Sequence, residues 1–234
     1  MSVALICDRD RAGAVSDLVW YVAYGSNLSA GRFHCYLRGG RPPGAALTHP
    51  GARDRTLPRA SKAVWIPGGV YFATESQVWG GGRALYDPGV PGPAAARAYL
   101  ITSQQFSDVA AQEMYREPGA DLDLSGVVTA GRAQTGPGRY ETLICAGQDD
   151  GAPLVTFTAP WDMGDVPLVS PSAGYLRMLG QGLREAHGWD PRQTAGYLSG
   201  LPGARGSWTS GEIVSLLARG TAAPREGRPP DAGS

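Results

Sequence analysis

Seven consecutive residues, Leu18-Val19-Trp20-Tyr21-Val22-Ala23-Tyr24, are apolar or aromatic and rich in β-formers, and the run stops at Gly25. Such a run reads as a buried strand, which commits the chain to a sheet with something packed over it. Directly beyond the glycine, Asn27 or Ser29 can cap a helix reaching about Leu37, with Leu28, Phe33 and Leu37 on one side. The fold therefore has to begin with a core strand that turns straight into a helix.

The rest of the chain supplies the partners. Residues 63–73, interrupted by Pro67-Gly68-Gly69, together with 77–86 and 95–101 read as strands. Their glycine-rich breaks suit bulges and sharp bends. Thr102 or Ser103 opens a helix to about Arg116, and Pro118 ends it. Strands at 139–146 and 153–159 are joined through Gly147-Gln148-Asp149-Asp150-Gly151. The last third is helical. Tyr175, Leu176, Leu179 and Leu183 fall at helical spacing within 172–187, and Gly188 can end that helix. Asp190-Pro191 starts a second, and Thr209 with Glu212 forms a capping box for a third. Residues 39–60 hold a long Gly-, Pro- and Arg-rich stretch without periodicity. This order predicts an α+β fold with a mostly antiparallel sheet or barrel and a C-terminal helical extension. Three parts are expected: a loose arm over 1–17, one domain over 18–219, and a disordered Pro/Gly/Arg/Ala tail over 220–234.

Composition narrows function mainly by exclusion. The 21 basic residues balance the 21 acidic ones, which removes an electrostatic reason to track nucleic acid or an anionic membrane. No segment reaches the ~18 apolar residues of a membrane span. The three scattered cysteines, Cys7, Cys35 and Cys145, make a poor disulfide framework and a poor zinc site, so a reduced, cytoplasmic setting is expected. Lys62 is the only lysine beside 34 glycines and 19 prolines, a bias that fits a GC-rich bacterial genome. His34, His49 and His187 lack metal-binding spacing, and Gly80-Gly81-Gly82 lacks the Lys-Ser/Thr of a phosphate loop. Oligomeric state is not legible.

Two features can carry chemistry. In Ala23-Tyr24-Gly25-Ser26-Asn27-Leu28 the backbone N–H groups of a strand-to-helix turn converge and favour a negative charge, with Ser26 and Asn27 adding donors. An ordinary capped turn is the bland alternative. Glu113 is the second feature: Phe106, Val109, Ala110 and Glu113 share one helix face, while Asp108 and Gln112 point elsewhere. A carboxylate in an apolar stripe must be paired or have its pKa raised, and the latter suits proton transfer near neutrality. A core-edge glutamate paired with an arginine is the competing reading.

These residues also carry a resemblance. Tyr21-Val22-Ala23-Tyr24-Gly25-Ser26-Asn27-Leu28 resembles the YxAYGSNL signature of the gamma-glutamylcyclotransferases and their avirulence-induced-gene-like relatives. Further pieces resemble the family in order: Gly68-Gly69-Val70, Val78-Trp79-Gly80 as a strand, Gln112-Glu113, Gly138-Arg139-Tyr140 and Pro171-Ser172-Ala173-Gly174-Tyr175, over about residues 18–187. The chain departs in carrying Val109-Ala110-Ala111 where relatives often have an acidic run, in its long 39–60 loop, and in the helices after Gly188.

The resemblance implies a small β-barrel with flanking helices. It also implies a cofactor-free enzyme that cyclises the γ-glutamyl group of a small γ-glutamyl amide to 5-oxoproline and frees the amine. In that reading Glu113 is the acid and base, the Tyr21–Leu28 signature holds the glutamyl end, and Tyr140 and Tyr175 line the pocket. Glutathione breakdown, γ-glutamyl-lysine trimming and removal of a protecting γ-glutamyl group in natural-product assembly are all open, with composition tilting toward the last. A non-catalytic binding or scaffold protein of the same fold, or a related amide-cleaving or amide-forming enzyme, are the alternatives.

Overall fold

The computed structural model describes residues 17–42 and 47–219. The expected tail over 220–234 and all but the last residue of the expected arm lie outside the described residues. In chain order the elements are β1 (Leu18–Ala23), a 3₁₀ turn (Ser26–Leu28), α1 (Ala30–Arg38), β2 (Ala60–Pro67), β3 (Gly69–Glu75), β4 (Gly82–Asp87) and β5 (Pro93–Thr102). There follow α2 (Ser103–Glu113), α3 (Ser125–Ala130), β6 (Arg132–Gln134), β7 (Thr142–Asp149) and β8 (Ala152–Thr158), then α4 (Ala173–His187), α5 (Pro191–Gly200) and α6 (Ser210–Arg219).

β1 lies in the middle of a six-stranded sheet of order β2-β5-β1-β8-β7-β6. It runs antiparallel to β5, with Leu18 opposite Thr102, and parallel to β8, with Trp20 opposite Leu154. Side chains alternate across a strand, and here the two faces feed separate cores. Trp20 and Val22 pack among Leu176, Leu179 and Leu183 of α4, with α5 and α6 behind. Val19, Tyr21 and Ala23 pack among Phe33 and Leu37 of α1 and Phe106 and Val109 of α2. Helices on both faces explain why the opening run contains no polar residue.

The expected α+β order holds, but the described strands do not close a barrel. The sheet ends at β2 and β6, and β3 pairs only with β4 in a separate two-stranded sheet. The single strand expected over 63–73 is split by Gly68, whose φ of +106° turns the chain where a Cβ would lie 2.7 Å from the Asp87 carbonyl oxygen. The β3–β4 hairpin is tied to the sheet by a side chain instead of a ladder: Thr158 Oγ1 accepts from Tyr86 N–H at 3.2 Å and donates to the Tyr86 carbonyl at 2.6 Å.

Boundaries differ elsewhere. Val78-Trp79-Gly80 forms a turn, not a strand, closed by Gly80 N–H on the Ser76 carbonyl. Helix α2 ends at Glu113, and β7 begins at Thr142. Helix α3 was missed because Val127, Val128 and Thr129 are β-formers by propensity. Thr102 with Gln105, Asp190 with Gln193, and Thr209 with Glu212 form reciprocal caps at α2, α5 and α6.

Helix α4 also braces the turn after β1. At Gly182 an added Cβ would lie 2.4 Å from Leu28 Cβ and 2.6 Å from the Ser29 amide nitrogen. In an unconstrained helix Gly→Ala gains up to ~1 kcal/mol. Here the obstructing atoms are partly backbone, and overpacking of ~1–3 kcal/mol outweighs that gain. Gly182→Ala is expected to lower the urea midpoint without changing the slope; an unchanged or higher midpoint contradicts this packing.

Candidate active site

At the end of β1 the Tyr24 hydroxyl donates to the Phe157 carbonyl at 2.9 Å, holding the strand to β8 where it leaves the sheet. The following bend closes through Leu28 N–H to the Gly25 carbonyl (3.0 Å) and Ser29 N–H to the Ser26 carbonyl (3.3 Å). Gly25 has φ −108°, so its backbone is not left-handed, and an added Cβ would lie 3.4 Å from the Tyr175 hydroxyl, an ordinary contact distance. That hydroxyl in turn accepts from Ala84 N–H at 3.3 Å.

Neither Asn27 nor Ser29 caps the helix with its side chain, contrary to the expectation. Asn27 is buried and its amide is turned inward instead. Nδ2 donates to the Tyr21 hydroxyl at 3.1 Å and to Glu113 Oε1 at 3.0 Å. Ser26 Oγ accepts from Arg32 Nε at 2.9 Å. The polar side chains of the bend are thus engaged by the site, and the helix start is held instead by Phe33 N–H on the Ser29 carbonyl and by Ala30 N–H on the Glu185 carboxylate at 3.1 Å.

Glu113 is the last residue of α2, partly buried, beyond the buried stripe of Phe106, Val109 and Ala110. Asp108 and Gln112, expected to point away from this stripe, are buried as well. The loop after α1 covers that side: Asp108 accepts from Arg53 N–H at 2.8 Å and from Arg53 Nε at 2.9 Å. Gln112 Nε2 donates to the Tyr36 carbonyl at 2.9 Å. Buried polar groups of this kind must be hydrogen-bonded, and the long loop with α1 supplies the partners.

Two adjoining clefts meet at the carboxylate. Gly25, Ser26 and Asn27 line the inner one with Tyr21, Tyr24 and Phe157. Arg32, Arg83 and Arg139 line the outer one with Tyr36, His49 and Trp79. Ser26, Glu113, Tyr140 and Tyr175 border both. The structure therefore brings Tyr21, Tyr24, Gly25, Ser26, Asn27, Glu113, Tyr140 and Tyr175 together. Val22, Ala23 and Leu28 are instead buried in the two hydrophobic cores, where β1 alternation and the brace by α4 put them.

The tyrosines are held protonated. Burial first, then the charge of Glu113, raises the Tyr21 hydroxyl well above its ordinary value. Burial likewise raises Tyr140, and it pushes Tyr175 up to about 12. Each is an O–H group at neutral pH.

Sequence reasoning missed Arg32, Tyr36, His49 and Arg83. One signal was available: Arg32 and Tyr36 are four apart on α1, beside the Phe33–Leu37 stripe, so both had to be buried. Nothing local marks His49 or Arg83; tertiary folding alone carries them to the cleft.

No family model matches the chain. Among curated proteins, histone deacetylase 5 of Arabidopsis thaliana is 29% identical over 206 residues, which is 80% of this chain and 31% of that protein. The chain thus spans under a third of the length of the curated relative it matches. Among solved structures it is similar to a gamma-glutamyl cyclotransferase, with TM-score 0.48. It is also similar to the uncharacterized protein loc79017 from Homo sapiens, with TM-score 0.46. Each is 16% identical over 86% of this chain and 99% of the other.

His49 lies with its ring 3.9 Å from that of Tyr36, and burial, then the charge of Arg32, lowers its pKa to about 4. The unfolded chain takes up the proton near 6.5, so stability is full above that pH and is lost as pH falls toward 4. Between pH 7.5 and 5 the loss is expected to be ~1–2 kcal/mol. His34 and His187 shift in the same direction, so His49→Phe removes part of the slope, not all. Urea midpoints at both pH values check this; an undiminished pH slope in His49→Phe contradicts it.

Proposed function

We propose that this chain cyclises the γ-glutamyl group of a small γ-glutamyl amide to 5-oxoproline, releasing the free amine, with Glu113 as acid and base. One observation carries the reading: a lone carboxylate, hydrogen-bonded to Asn27, sits where an inner cleft over the glycine bend meets an outer cleft. Other dispositions of a helical glutamate would leave it paired with an arginine, yet among the described residues no ion pair engages Glu113.

The chemistry follows from that placement. At neutral pH the substrate's α-amine is largely protonated, and Glu113 accepts its proton. The freed nitrogen attacks the γ-carbonyl carbon within the same molecule, closing a five-membered lactam. The ring nitrogen sheds its second proton as the old bond from that carbon to the amide nitrogen breaks, and the two protons given up by the α-amine leave on the departing nitrogen, delivered through Glu113, so the amine departs as an ammonium ion. Because the reaction is intramolecular, the protein's main task is to fold the substrate over; positioning of this kind is worth several kcal/mol of barrier. N–H groups of the bend receive the α-carboxylate or the developing oxyanion. Tyr140 and Tyr175, as protonated hydroxyls, shape the walls. No cofactor enters any step.

Glu113→Gln keeps the hydrogen-bonding shape but cannot shuttle the proton. It is expected to retain the wild-type melting temperature and to lose turnover by ~10²-fold or more. The measurement is 5-oxoproline release from a panel of γ-glutamyl amides. Release by the variant at the wild-type rate removes Glu113 from the mechanism. Binding of the panel by the wild type without any 5-oxoproline favours a non-catalytic binding protein.

A further inference from the structure

Behind the wall of the two clefts lies a third hollow, about 190 Å³ in volume, between α2, the loop that follows it and the turn before β7. Neighbouring residues divide between the two sides. Glu113 borders the clefts, whereas the next residue, Met114, borders the hollow; Arg139 lines the outer cleft and Glu141 the hollow, with Tyr140 as the shared wall. The body of the hollow is apolar, formed by Ala110, Ala111, Met114, Leu122 and Leu143. Its two hydroxyls are already engaged. Ser107 Oγ donates to the Ser103 carbonyl at 2.8 Å and accepts from Leu122 N–H at 3.0 Å, and Thr135 Oγ1 donates to the Glu141 carbonyl at 3.0 Å.

One charged group is built into the wall. The Glu141 side chain is only 8% exposed, and its carboxylate accepts from Gly138 N–H at 2.7 Å. Gly136 and Gly138 curl round it so closely that a Cβ on either would lie 2.5 Å from Oε2. A carboxylate buried in this way needs a counter-charge. The one it has is Arg116 Nη1 at 2.5 Å, on a side chain that is 62% exposed. An ion pair whose cation stands mostly in water contributes little and exchanges readily. Glu117, exposed beside Arg116, also borders the hollow, and among the described residues no ion pair engages it. The rim thus sets two carboxylates against one arginine.

Hydrocarbon walls with negative charge at one end select a molecule of the matching pattern. We infer that this hollow is a second binding site, for a small hydrophobic cation. Its ammonium group takes the place of Arg116 on Glu141, and a body of one ring lies among Ala110, Met114 and Leu143. The volume is sufficient, since a cavity of ~150 Å³ already admits benzene. An anion of the same shape meets Glu141 and Glu117 and is repelled, and a bare ammonium ion leaves the apolar walls unfilled. The inference uses neither Glu113 nor the γ-glutamyl reading, so the two stand or fall separately.

The test is calorimetric titration of the full wild-type chain at neutral pH with 2-phenylethylamine, 3-phenylpropanoate and ethylamine. These carry a ring with a cation, a ring with an anion, and a cation without a ring. The first is expected to bind at least ~10-fold more tightly than either of the others, the size of one charge-assisted contact or one buried ring. In protein labelled at the methionine methyls, 2-phenylethylamine is expected to shift the Met114 signal by its ring current and to leave Met163 and Met178 in place. Ala111→Leu, which fills the hollow, is expected to weaken the amine by ~10-fold or more, and Glu113→Gln, across the wall, to leave its affinity unchanged. Equal affinity for the amine and the propanoate overturns the site. So does failure of 2-phenylethylamine to bind at millimolar concentration. Affinity that falls in Glu113→Gln but survives Ala111→Leu moves the amine to the clefts and overturns it as well. An unmoved Met114 signal has the same force and needs no variant to fold.

Discussion

Strand β1 has helices on both of its faces, and most of the molecule follows from that burial. Its residues go alternately to a core roofed by α4 and to one roofed by α1 and α2. The strand cannot continue into solvent and cannot pair further, so it must leave the sheet abruptly. It does so at Gly25, between α2 on one side and α4 on the other. The bend and the carboxylate of Glu113 are therefore neighbours because both belong to elements packed on the same strand. Their hydrogen bond through Asn27 is a consequence of core packing rather than a separate invention.

The electrostatics of the site follow from what surrounds that contact. Aromatic rings enclose it: Tyr21 lies 5.3 Å from Phe157, and Tyr140 lies 5.7 Å from the same ring. In such surroundings a charge is worth more than in water, whether attractive or repulsive. Among the described residues lining the two clefts, Glu113 is the carboxylate that faces the protonated Tyr21, Tyr140 and Tyr175. Three arginines, Arg32, Arg83 and Arg139, line the outer side of that contact. The overall neutrality of the chain conceals this local imbalance.

Much of this was readable from residues in order. The β1 run, the reciprocal caps at Thr102, Asp190 and Thr209, and the α4 stripe are local patterns with local causes, and each element formed where its signal lay. The α2 stripe correctly put Phe106, Val109 and Ala110 inside and Glu113 at its end. The failures have physical reasons as well. Gly68 was read as a bend within one strand, yet its left-handed backbone sends β3 into a different sheet. The β-branched residues of α3 obeyed tertiary packing over propensity. Asp108 and Gln112 lie off the Glu113 stripe as read, but their burial was not foreseen, because periodicity cannot see a distant loop and helix packing over the second side of α2.

The amino-acid sequence by itself determined the elements, the glycine bend and the acid at the end of α2, since all of these depend on neighbours within a few residues. Only the tertiary structure decided that the described strands stay an open sheet with a separate hairpin, and that Arg32, Arg83 and Arg139 gather beside that acid with no ion pair among the described residues. Those arginines come from α1, β4 and the turn before β7, and no local pattern brings such distant residues to one cleft. Their convergence is set by how the two cores pack against β1, which is a property of the whole chain.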